Sequence, residues 1–337
     1  MPNINVTIVD IAKKLKISPS TVSRALRNHP DVNKETKSKV MALAEKVRYN
    51  PNRLAQSLKG RSTKTLGMIV PEIKHEFFSS VISGVEHTAY ASGYSILLTQ
   101  SNEEYQREIL NTKTLLSHRV DGLLVSISQN TLDPDHFKNV IRNNVPLVFF
   151  DRVFSNLKCA TVECDDYQGA FNAVEHLLSR GYKHIAHFAG YLHTPIGKMR
   201  FQGYQDALKK HGIPFNPQWV RYGGLTEDAG MKAFEDVSNT GEMPDAIFAV
   251  NDPVAIGAFI SIKRKGMAIP GDIALVGFSD NPIVSLLDPP MTTVRQPAVQ
   301  MGEVSSKELI DQIETTGSVG NKKHIVLKTE LIVRKST

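Results

Sequence analysis

The chain has 337 residues, which is too long for one ordinary hydrophobic core and suits two or three folded units. With 41% hydrophobic residues, 22% charged residues and a net charge of +6, its composition is that of a globular protein and argues against a disordered or fibrous chain. No apolar run reaches the roughly 18 residues of a membrane span, and no basic segment followed by an apolar one opens the sequence, so we expect neither a membrane anchor nor a secretory signal.

The positive charge is concentrated near the N-terminus. Residues 1–64 contain 14 Lys and Arg against four acidic residues, whereas the rest of the chain carries 26 basic and 30 acidic residues. A basic module joined to a nearly neutral domain is typical of proteins that bind a polyanion. A basic surface that is only exposed to solvent would show the same charges, so the order of residues in this segment has to distinguish the two interpretations.

Three short helices are predicted in this basic segment. The first begins after Thr7, which has the spacing of a capping box with Asp10. Ser18 caps the second helix, with Pro19 at its first position, and Asn33 is suited to cap the third. Apolar residues at helical spacing would close a small core: Ile8, Ile11, Ala12, Leu15, Val22, Leu26, Val40, Leu43, Ala44 and Val47.

The second helix has the composition of a DNA-reading helix. Small polar residues and one basic residue lie on its exposed side: Pro19, Ser20, Thr21, Ser23 and Arg24. Two helices joined by a short turn, with small polar and basic residues on the exposed side of the second helix, form the arrangement that enters a DNA major groove. Together with the excess of basic residues, this pattern predicts a sequence-specific DNA-binding unit over residues 1–50.

A further short helix is predicted in the segment 51–63. Pro51 starts it and Gly60 ends it, and so short a helix should form only against another surface. Leu58, flanked by basic residues, suits a side chain that wedges between base steps in the minor groove. A linker with accidental helicity is the alternative.

Six stretches of the sequence together strongly resemble the lac/galactose repressor family: residues 7–12, 18–26, 49–58, 119–124, 184–190 and 272–278. In that family the position of Leu58 intercalates, and those of Pro19, Ser20 and Arg24 read bases. The resemblance implies these DNA-binding residues: Thr7, Ser18, Pro19, Ser20, Thr21, Ser23, Arg24, Asn52, Arg53, Gln56 and Leu58. Pro19 departs from the larger or hydrogen-bonding residue that is commoner there, which leaves the preferred DNA sequence open.

From residue 64 onwards, apolar strand-like runs alternate with helical patterns, as in a parallel α/β sheet. Two sets of such runs predict two similar open-sheet subdomains, with a ligand crevice at the carboxyl ends of the strands. The first set comprises Leu66–Val70, Ser95–Leu98, Gly122–Val125 and Leu147–Phe150. The second comprises Ile185–Ala189, Ala246–Val250 and Ile273–Phe278.

The resemblance implies that this core, residues 64–337, is like a periplasmic binding protein. The chain would cross between the subdomains three times, near Ala160–Glu163, Met291–Val294 and Ile325–Thr329. The first subdomain would then comprise about residues 64–161 and 294–325, and the second about 162–291 and 328–337. The expected fold is an all-α helix-turn-helix headpiece followed by an α/β core of two open parallel-sheet subdomains.

Several residues that follow these strands are candidates for binding a ligand. Phe77 and Phe78 follow the first strand, and aromatic faces stack on sugar rings or flat bases, with packing in the core as an equal alternative. Asp151 is suited to accept ligand hydroxyls or to cap a turn. Arg200, in the loop that we expect after Ile185–Gly190, offers a rigid fork of hydrogen-bond donors.

Polar residues after the last two predicted strands could either bind a ligand or cap helices. The resemblance implies these effector-contacting positions: Phe77, Phe78, Asp151, Thr194, Arg200, Asn251, Ser279 and Asp280. Many members of the family have an acid where Ser279 stands, so the choice between Ser279 and the following Asp280 stays open.

Neither an enzyme motif nor a cofactor motif is found in the sequence. A phosphate loop, a nucleophile elbow, a paired metal-ligand motif and G-x-G-x-x-G are all missing, and Cys159 and Cys164 match no zinc or redox motif. His184 and His187 fall at a helix end and in a strand, where structural roles are favoured. We therefore expect no catalytic residue, no metal and no cofactor.

These features predict a cytoplasmic transcription regulator, a repressor whose affinity for a double-stranded, palindromic operator is controlled by a small-molecule effector. The family's usual effectors are carbohydrates, with purines, nucleosides and protein corepressors as exceptions. We expect a homodimer, because one helix-turn-helix reads one half-site and the sequence ends without the leucine heptads that make some relatives tetramers. A sugar-binding transport receptor, a purine- or nucleoside-responsive regulator and an α/β enzyme with a DNA-binding appendage are the alternatives.

Overall fold

The computed structural model describes residues 6–26, 28–47, 49, 62–154, 156–315 and 322–337. The chain divides into two compact units, Met1–Thr63 and Lys64–Thr337. In the described ranges, no helix is long and apolar enough to cross a membrane. Four of the expected DNA contacts lie outside the described residues, together with the whole of the expected short helix between Pro51 and Gly60: Asn52, Arg53, Gln56 and Leu58.

The described part of the first unit contains three helices, α1 (Ile8–Leu15), α2 (Pro19–Leu26) and α3 (Lys34–Lys46). Their predicted caps are confirmed. The Asp10 amide donates to the Thr7 hydroxyl at 3.3 Å, and the Thr7 amide donates to the Asp10 carboxylate at 2.9 Å. Because these caps satisfy amides that have no partner within the helix, they define where α1 begins.

Apolar side chains from all three helices close the core of this unit: Ile11, Ala12, Val22, Ala25, Val32, Val40 and Ala44. Val22 and Val40 are fully buried. Burying one such side chain stabilises the fold by about 1.5–3 kcal/mol, so even this small core can hold three short helices together. The inward side of α2 is thereby occupied, which turns its polar side outward.

The second unit is built from strands and helices in alternation. Its described strands are β1 (Thr65–Val70), β2 (Ser95–Gln100), β3 (Gly122–Val125), β4 (Leu147–Phe150), β5 (Ala160–Cys164), β6 (Ile185–Phe188), β7 (Val220–Arg221), β8 (Ala246–Ala249), β9 (Ala274–Ser279), β10 (Thr292–Arg295), β11 (His324–Leu327) and β12 (Glu330–Ile332). Its described helices are α4 (Glu76–Ala91), α5 (Tyr105–Ser117), α6 (Asp135–Arg142), α7 (Asp166–Ser179), α8 (Pro195–Lys210), α9 (Glu227–Ser238), α10 (Asp252–Arg264) and α11 (Ala298–Glu314). Two 3-10 helices span Pro217–Trp219 and Pro282–Ser285.

These strands form two sheets, which define the first and the second subdomain. The order is β11-β5-β4-β3-β1-β2 in the first sheet and β12-β10-β9-β8-β6-β7 in the second. Every described pair of neighbouring strands is parallel except β10 and β12, which are antiparallel. Adjacent residues in a central strand pack on opposite faces, as Phe149 and Phe150 do in β4. Central strands covered on both faces appear in sequence as continuous apolar runs.

The chain crosses between the sheets just after the first two segments that the sequence predicted and within the third, Ile325–Thr329. β5 stays in the first sheet through Cys164, β10 stays in the second through Arg295, and β11 stays in the first through Leu327. The expected boundaries at residues 161 and 294 therefore cut through β5 and β10, whereas the third crossing, between Leu327 and Glu330, lies in the expected segment. Each strand completes its backbone pairing before it leaves, because unpaired N–H and C=O groups inside a sheet are costly.

Candidate functional sites

Apart from Thr7, the predicted DNA contacts that fall within the described residues lie on α2 or at its cap. The exposed ones are Ser18, Pro19, Ser20 and Arg24, and the half-buried ones are Thr21 and Ser23. The Ser18 hydroxyl accepts the Thr21 amide at 3.1 Å and lies 2.7 Å from the Ser20 hydroxyl. Ser18 is therefore both the cap of α2 and part of an exposed row of hydroxyl groups.

Arg24 is the basic residue of this surface. Its side chain has no hydrogen-bond or ion-pair partner within the part of the chain that the structure describes, and it lies in the last turn of α2. An exposed guanidinium can form a bidentate contact with a guanine edge, and hydroxyl groups bond to bases or phosphates. The surface has the chemistry for reading DNA.

Thr7 is exposed but already committed to its helix cap. Its hydroxyl donates to the Asp10 carboxylate at 2.7 Å and accepts the Asp10 amide. The hydrogen bond from Thr7 lowers the pKa of Asp10 below its ordinary value. A DNA phosphate accepts hydrogen bonds, and both donors of Thr7, its hydroxyl and its backbone N–H, already donate to the Asp10 carboxylate, so a phosphate contact requires Thr7 to release one of these bonds.

A cavity of about 470 Å³ lies between the two sheets of the second unit. Its lining comes from both subdomains, at the ends of β4, β6, β8 and β9. All eight predicted effector positions line it: Phe77, Phe78, Asp151, Thr194, Arg200, Asn251, Ser279 and Asp280. The carboxyl ends of parallel strands form the usual crevice of such folds, which explains why residues so far apart in sequence meet here.

Phe77 and Phe78 lie in the first turn of α4, where their two roles separate. Phe78 is 4% exposed and belongs to the core of the first subdomain, whereas Phe77 is half-buried. Their rings meet edge to face with centroids 5.2 Å apart. Phe78 therefore packs in the core, as the alternative interpretation of the sequence had it, and Phe77 offers the more accessible ring to a ligand.

Asp151 follows β4 as a buried carboxyl group with few partners. Its backbone φ of 59° is left-handed, which is uncommon for a residue with a side chain. The Ser126 hydroxyl donates to it at 3.4 Å, and Arg152 Nε lies 3.9 Å away. Burial raises the pKa of Asp151 to about 7, against the opposing effect of Arg152. At neutral pH this group can both donate and accept hydrogen bonds.

Arg200 lies within α8 and not in a loop before it, because Thr194 caps that helix and Pro195 begins it. The guanidinium is buried and held from several sides. Nε donates to Asp166 at 2.8 Å, Nη2 lies 2.6 Å from the same carboxylate, and Nη1 donates to the Val250 carbonyl at 2.5 Å.

Asp166 was not among the predicted site residues, although it orients Arg200. It is the first residue of α7, and no spacing in the sequence links it to a residue 34 positions away. Burial raises the pKa of Asp166, and the neighbouring Arg200 opposes this. A guanidinium has five N–H donors, one on Nε and two on each Nη. Each of the three Arg200 nitrogens already faces a protein oxygen, so one hydrogen on each Nη is left for a ligand.

Asn251 and Thr194 are helix caps, the alternative that the sequence analysis kept open for Asn251. Asn251 Oδ1 accepts the Val254 amide at 2.9 Å. The Thr194 hydroxyl accepts the Gly197 amide at 3.2 Å and donates to the Tyr191 carbonyl at 2.7 Å. Both side chains line the cavity, and only their unused hydrogen-bonding capacity faces a ligand.

Ser279 and Asp280 differ in how much of their polarity is already used. The Ser279 hydroxyl donates to Gln296 Oε1 at 2.9 Å. The Asp280 carboxylate pairs with Arg295 Nε at 2.8 Å and with Arg334 Nη2 at 2.7 Å, so two guanidinium groups neutralise its charge. Both residues line the cavity, so the structure brings the two candidates together at the same wall.

Three residues that sequence reasoning missed also line the cavity: Glu103, Gln129 and Arg152. Arg152 Nη1 donates to Glu103 Oε1 at 2.7 Å, and the backbone N–H of Gln129 donates to Glu103 Oε2 at 2.8 Å. Each follows a strand of the first sheet. Inspecting the residues after every predicted strand, including those after β2 and β3, would have found them.

The histidine and cysteine residues have structural surroundings. His187 Nδ1 lies 2.8 Å from the Phe248 carbonyl oxygen, and burial lowers the pKa of His187 to about 4. Burial also raises the thiol pKa of Cys159 to about 12 and that of Cys164 well above its ordinary value. Among the described residues, no group of three or more His, Cys, Asp or Glu is placed to hold a metal ion.

Comparison with known proteins accounts for both units. Residues 7–52 match the family described as "Bacterial regulatory proteins, lacI family", and residues 174–337 match "Periplasmic binding protein-like domain". The HTH-type transcriptional repressor CytR of Escherichia coli (strain K12) is 34% identical over 331 residues, which are 98% of this chain and 96% of CytR.

Solved structures agree with this comparison. The lac repressor dimer bound to operator and the anti-inducer ONPF is 27% identical with a TM-score of 0.88, over 98% of this chain and 99% of that one. The transcriptional regulator CelR in its cellobiose complex is 28% identical with a TM-score of 0.75, over 98% and 100% of the two chains. The predicted family and fold class are confirmed, and the chain belongs to the lacI family of bacterial regulatory proteins.

Proposed function

We propose that this protein is a transcriptional repressor that binds a palindromic, double-stranded operator as a homodimer and changes its operator affinity when a small molecule occupies the cleft. The observation that carries the proposal is the presence, in one chain, of a polar and basic α2 surface and of a cavity lined by all eight expected effector positions. A transport receptor would need the cavity alone.

The dimer follows from the geometry of DNA recognition. A single α2 reaches one half-site, and two half-sites related by a two-fold axis require two copies of the chain. The lac repressor structure named above is a dimer bound to operator, which supports the same arrangement here. We assign the protein to the cytoplasm, where operator DNA is accessible, and we assign it no catalytic activity.

The chemistry of the cleft favours a carbohydrate as effector. Asp151 and Arg200 offer buried groups that bond to hydroxyls, and the half-buried Phe77 ring is suited to stack on a sugar face. The structural relative CelR holds cellobiose. A purine or nucleoside is the second candidate, because the same Phe77 ring can stack on a flat base.

The DNA-binding part is tested by selecting operators from a library of random palindromes with the purified full chain. Fluorescence anisotropy then ranks variants of the selected site, and sedimentation should give the mass of a dimer. We expect log K to fall by about 0.9 per phosphate contacted as log salt rises. Binding that shows no preference among sequences would overturn the proposal.

Arg24→Ala should reduce the discrimination between base pairs at the position that Arg24 reads by about 1–3 kcal/mol, and so change the order of preference among operator variants. Lys39→Ala is the matched control, because Lys39 is an exposed basic residue of α3 whose ammonium group lies 2.7 Å from the Glu35 carboxylate. It should lower affinity for all sequences equally or leave it unchanged. An unchanged ranking for Arg24→Ala would remove this residue from the reading surface.

The effector is tested by a thermal-shift screen of sugars, sugar phosphates, nucleosides and purines. A ligand present at 100 times its Kd stabilises the fold by about 2.7 kcal/mol, which is readily measured. The compound that binds should also change operator affinity in the anisotropy assay. A compound that stabilises the protein without affecting operator binding would separate ligand binding from regulation.

A further inference from the structure

One hydrogen bond joins the two subdomains at the mouth of the cleft. His193, in the turn after β6, places Nε2 3.0 Å from the backbone carbonyl oxygen of Gln129, which follows β3. His193 is exposed and Gln129 lines the cavity, so the contact lies where the cleft meets solvent. Because the acceptor is a carbonyl oxygen, Nε2 of the imidazole must carry the hydrogen.

The turn that presents His193 is tightly held from the second subdomain. The Thr194 amide and hydroxyl both donate to the Tyr191 carbonyl, at 3.1 and 2.7 Å. A Cβ at Gly197 would lie 2.3 Å from the same carbonyl oxygen, so α8 approaches the turn as closely as only glycine allows. The imidazole is therefore positioned by the start of α8, the helix that also carries Arg200.

Gln129, the residue whose carbonyl accepts this bond, is anchored to the first subdomain through its backbone N–H. The backbone N–H of Gln129 donates to Glu103 Oε2, and the other carboxylate oxygen of Glu103 accepts a hydrogen bond from Arg152 at 2.7 Å. Arg152 is next to Asp151 on the wall of the cavity. Through these contacts, the bond at the mouth connects the ligand-facing walls of both subdomains.

We propose that His193 is the residue that closes the cleft: its bond to Gln129 favours the closed arrangement of the subdomains and so limits how fast an effector enters and leaves. This inference rests on the proposed function, which places the effector in the cleft. A contact that exists in only one of two arrangements shifts the population toward that arrangement. The bond between His193 and Gln129 is lost as soon as the subdomains separate.

The test measures the distance between the subdomains in the full chain, free of DNA and ligand. Spin labels are attached at Leu132→Cys, after β3, and at Tyr222→Cys, after β7, where the native side chains are 78% and 55% exposed. The two native thiols, Cys159 and Cys164, are buried with raised pKa values, so the labels go to the introduced cysteines. An excess of unlabelled chain ensures that each distance comes from one chain.

Double electron–electron resonance should show mainly the short distance for the protein with native His193. His193→Ala should raise the ratio of open to closed molecules about five-fold, because one hydrogen bond of ordinary strength is removed. His193→Gln, whose amide can donate from a similar position, should restore the native distribution. Leu192→Ala, an exposed neighbour outside the cavity lining, should leave the distribution unchanged.

An unchanged distribution for His193→Ala would overturn the proposal, and so would a His193→Gln protein as open as the alanine variant. The measurement uses neither operator nor effector. Its failure therefore leaves the operator and effector tests of the proposed function standing, and their failure would leave the distance result intact.

Discussion

The α2 surface and the cleft hold their polar side chains in different ways. On the headpiece, the hydrogen bonds of Ser18 and Thr7 reach partners two or three residues away, and these groups are exposed. In the cleft, Arg200 meets Asp166 across 34 residues of sequence and Arg152 meets Glu103 across 49. The cleft groups are also mostly buried.

This difference has an energetic consequence. An exposed polar group that loses a neighbour is hydrated by water instead, and little stability is lost. A buried charged group that loses its partner keeps its desolvation cost without compensation. Substitutions on α2 should therefore alter recognition with small effects on folding, whereas substitutions around the cleft should alter both.

The largest effect is expected for Asp166→Ala, because it leaves the Arg200 guanidinium buried without its carboxylate. Breaking one side of a buried ion pair costs about 3–5 kcal/mol. Urea unfolding of the full chain, followed by the fluorescence of the single tryptophan, Trp219, reports on the second subdomain. For the same reason Arg200→Ala would disturb folding as well as ligand binding.

Asp135→Asn is the control for this prediction. Asp135 pairs with Lys138 at 2.6 Å on the exposed side of α6, where the pair is hydrated. We expect its unfolding midpoint to match that of the unsubstituted protein. Equal midpoints for Asp166→Ala and Asp135→Asn would contradict the contrast between buried and exposed pairs.

A smaller effect, and one that depends on pH, is expected for Asp151→Asn. The pKa of Asp151 is raised from 3.8 to about 7, so between these values the folded protein keeps a proton that the unfolded chain has released. Its contribution to stability is fully present below pH 3.8 and is lost as the pH rises through 7. An asparagine cannot ionise and lacks this dependence.

Asp151→Asn should therefore be more stable than the unsubstituted protein at pH 8. Its advantage should shrink by up to about 1.4 kcal/mol for each pH unit between 7 and 5, as measured by urea unfolding at a series of pH values. A difference that stays constant across this range would show that Asp151 is ionised throughout it.

The smallest effect is expected for Thr7→Ala in the headpiece, where loss of a helix cap costs about 1 kcal/mol. Hydrogen exchange of the full chain should show faster exchange in α1 and unchanged exchange in the second unit. The hydrogen bond from Thr7 lowers the pKa of Asp10, so its contribution is present above the ordinary pKa and lost as the pH falls. The substitution should remove this acid sensitivity, which is opposite in sign to that of Asp151.

Local patterns in the sequence were enough to predict the three helices of the headpiece and most of the central strands of the two sheets. The caps at Thr7, Ser18 and Asn33 form because each depends on a hydroxyl or amide group within three residues of its target. The central strands could be predicted because burial on both faces requires apolar residues at every position. The ends of β5 and β10 could not, since a crossing strand ends where its partner in the sheet ends.

By itself, the sequence determined the basic headpiece, the alternation of strands and helices, and the positions after strands that line the cleft, because each is encoded over a few neighbouring residues. Only the tertiary structure decided that Asp166 orients Arg200, that Arg295 and Arg334 neutralise Asp280, and that His193 meets Gln129. These pairs join residues brought together by sheet order and helix packing, and no periodicity along the chain records such distances.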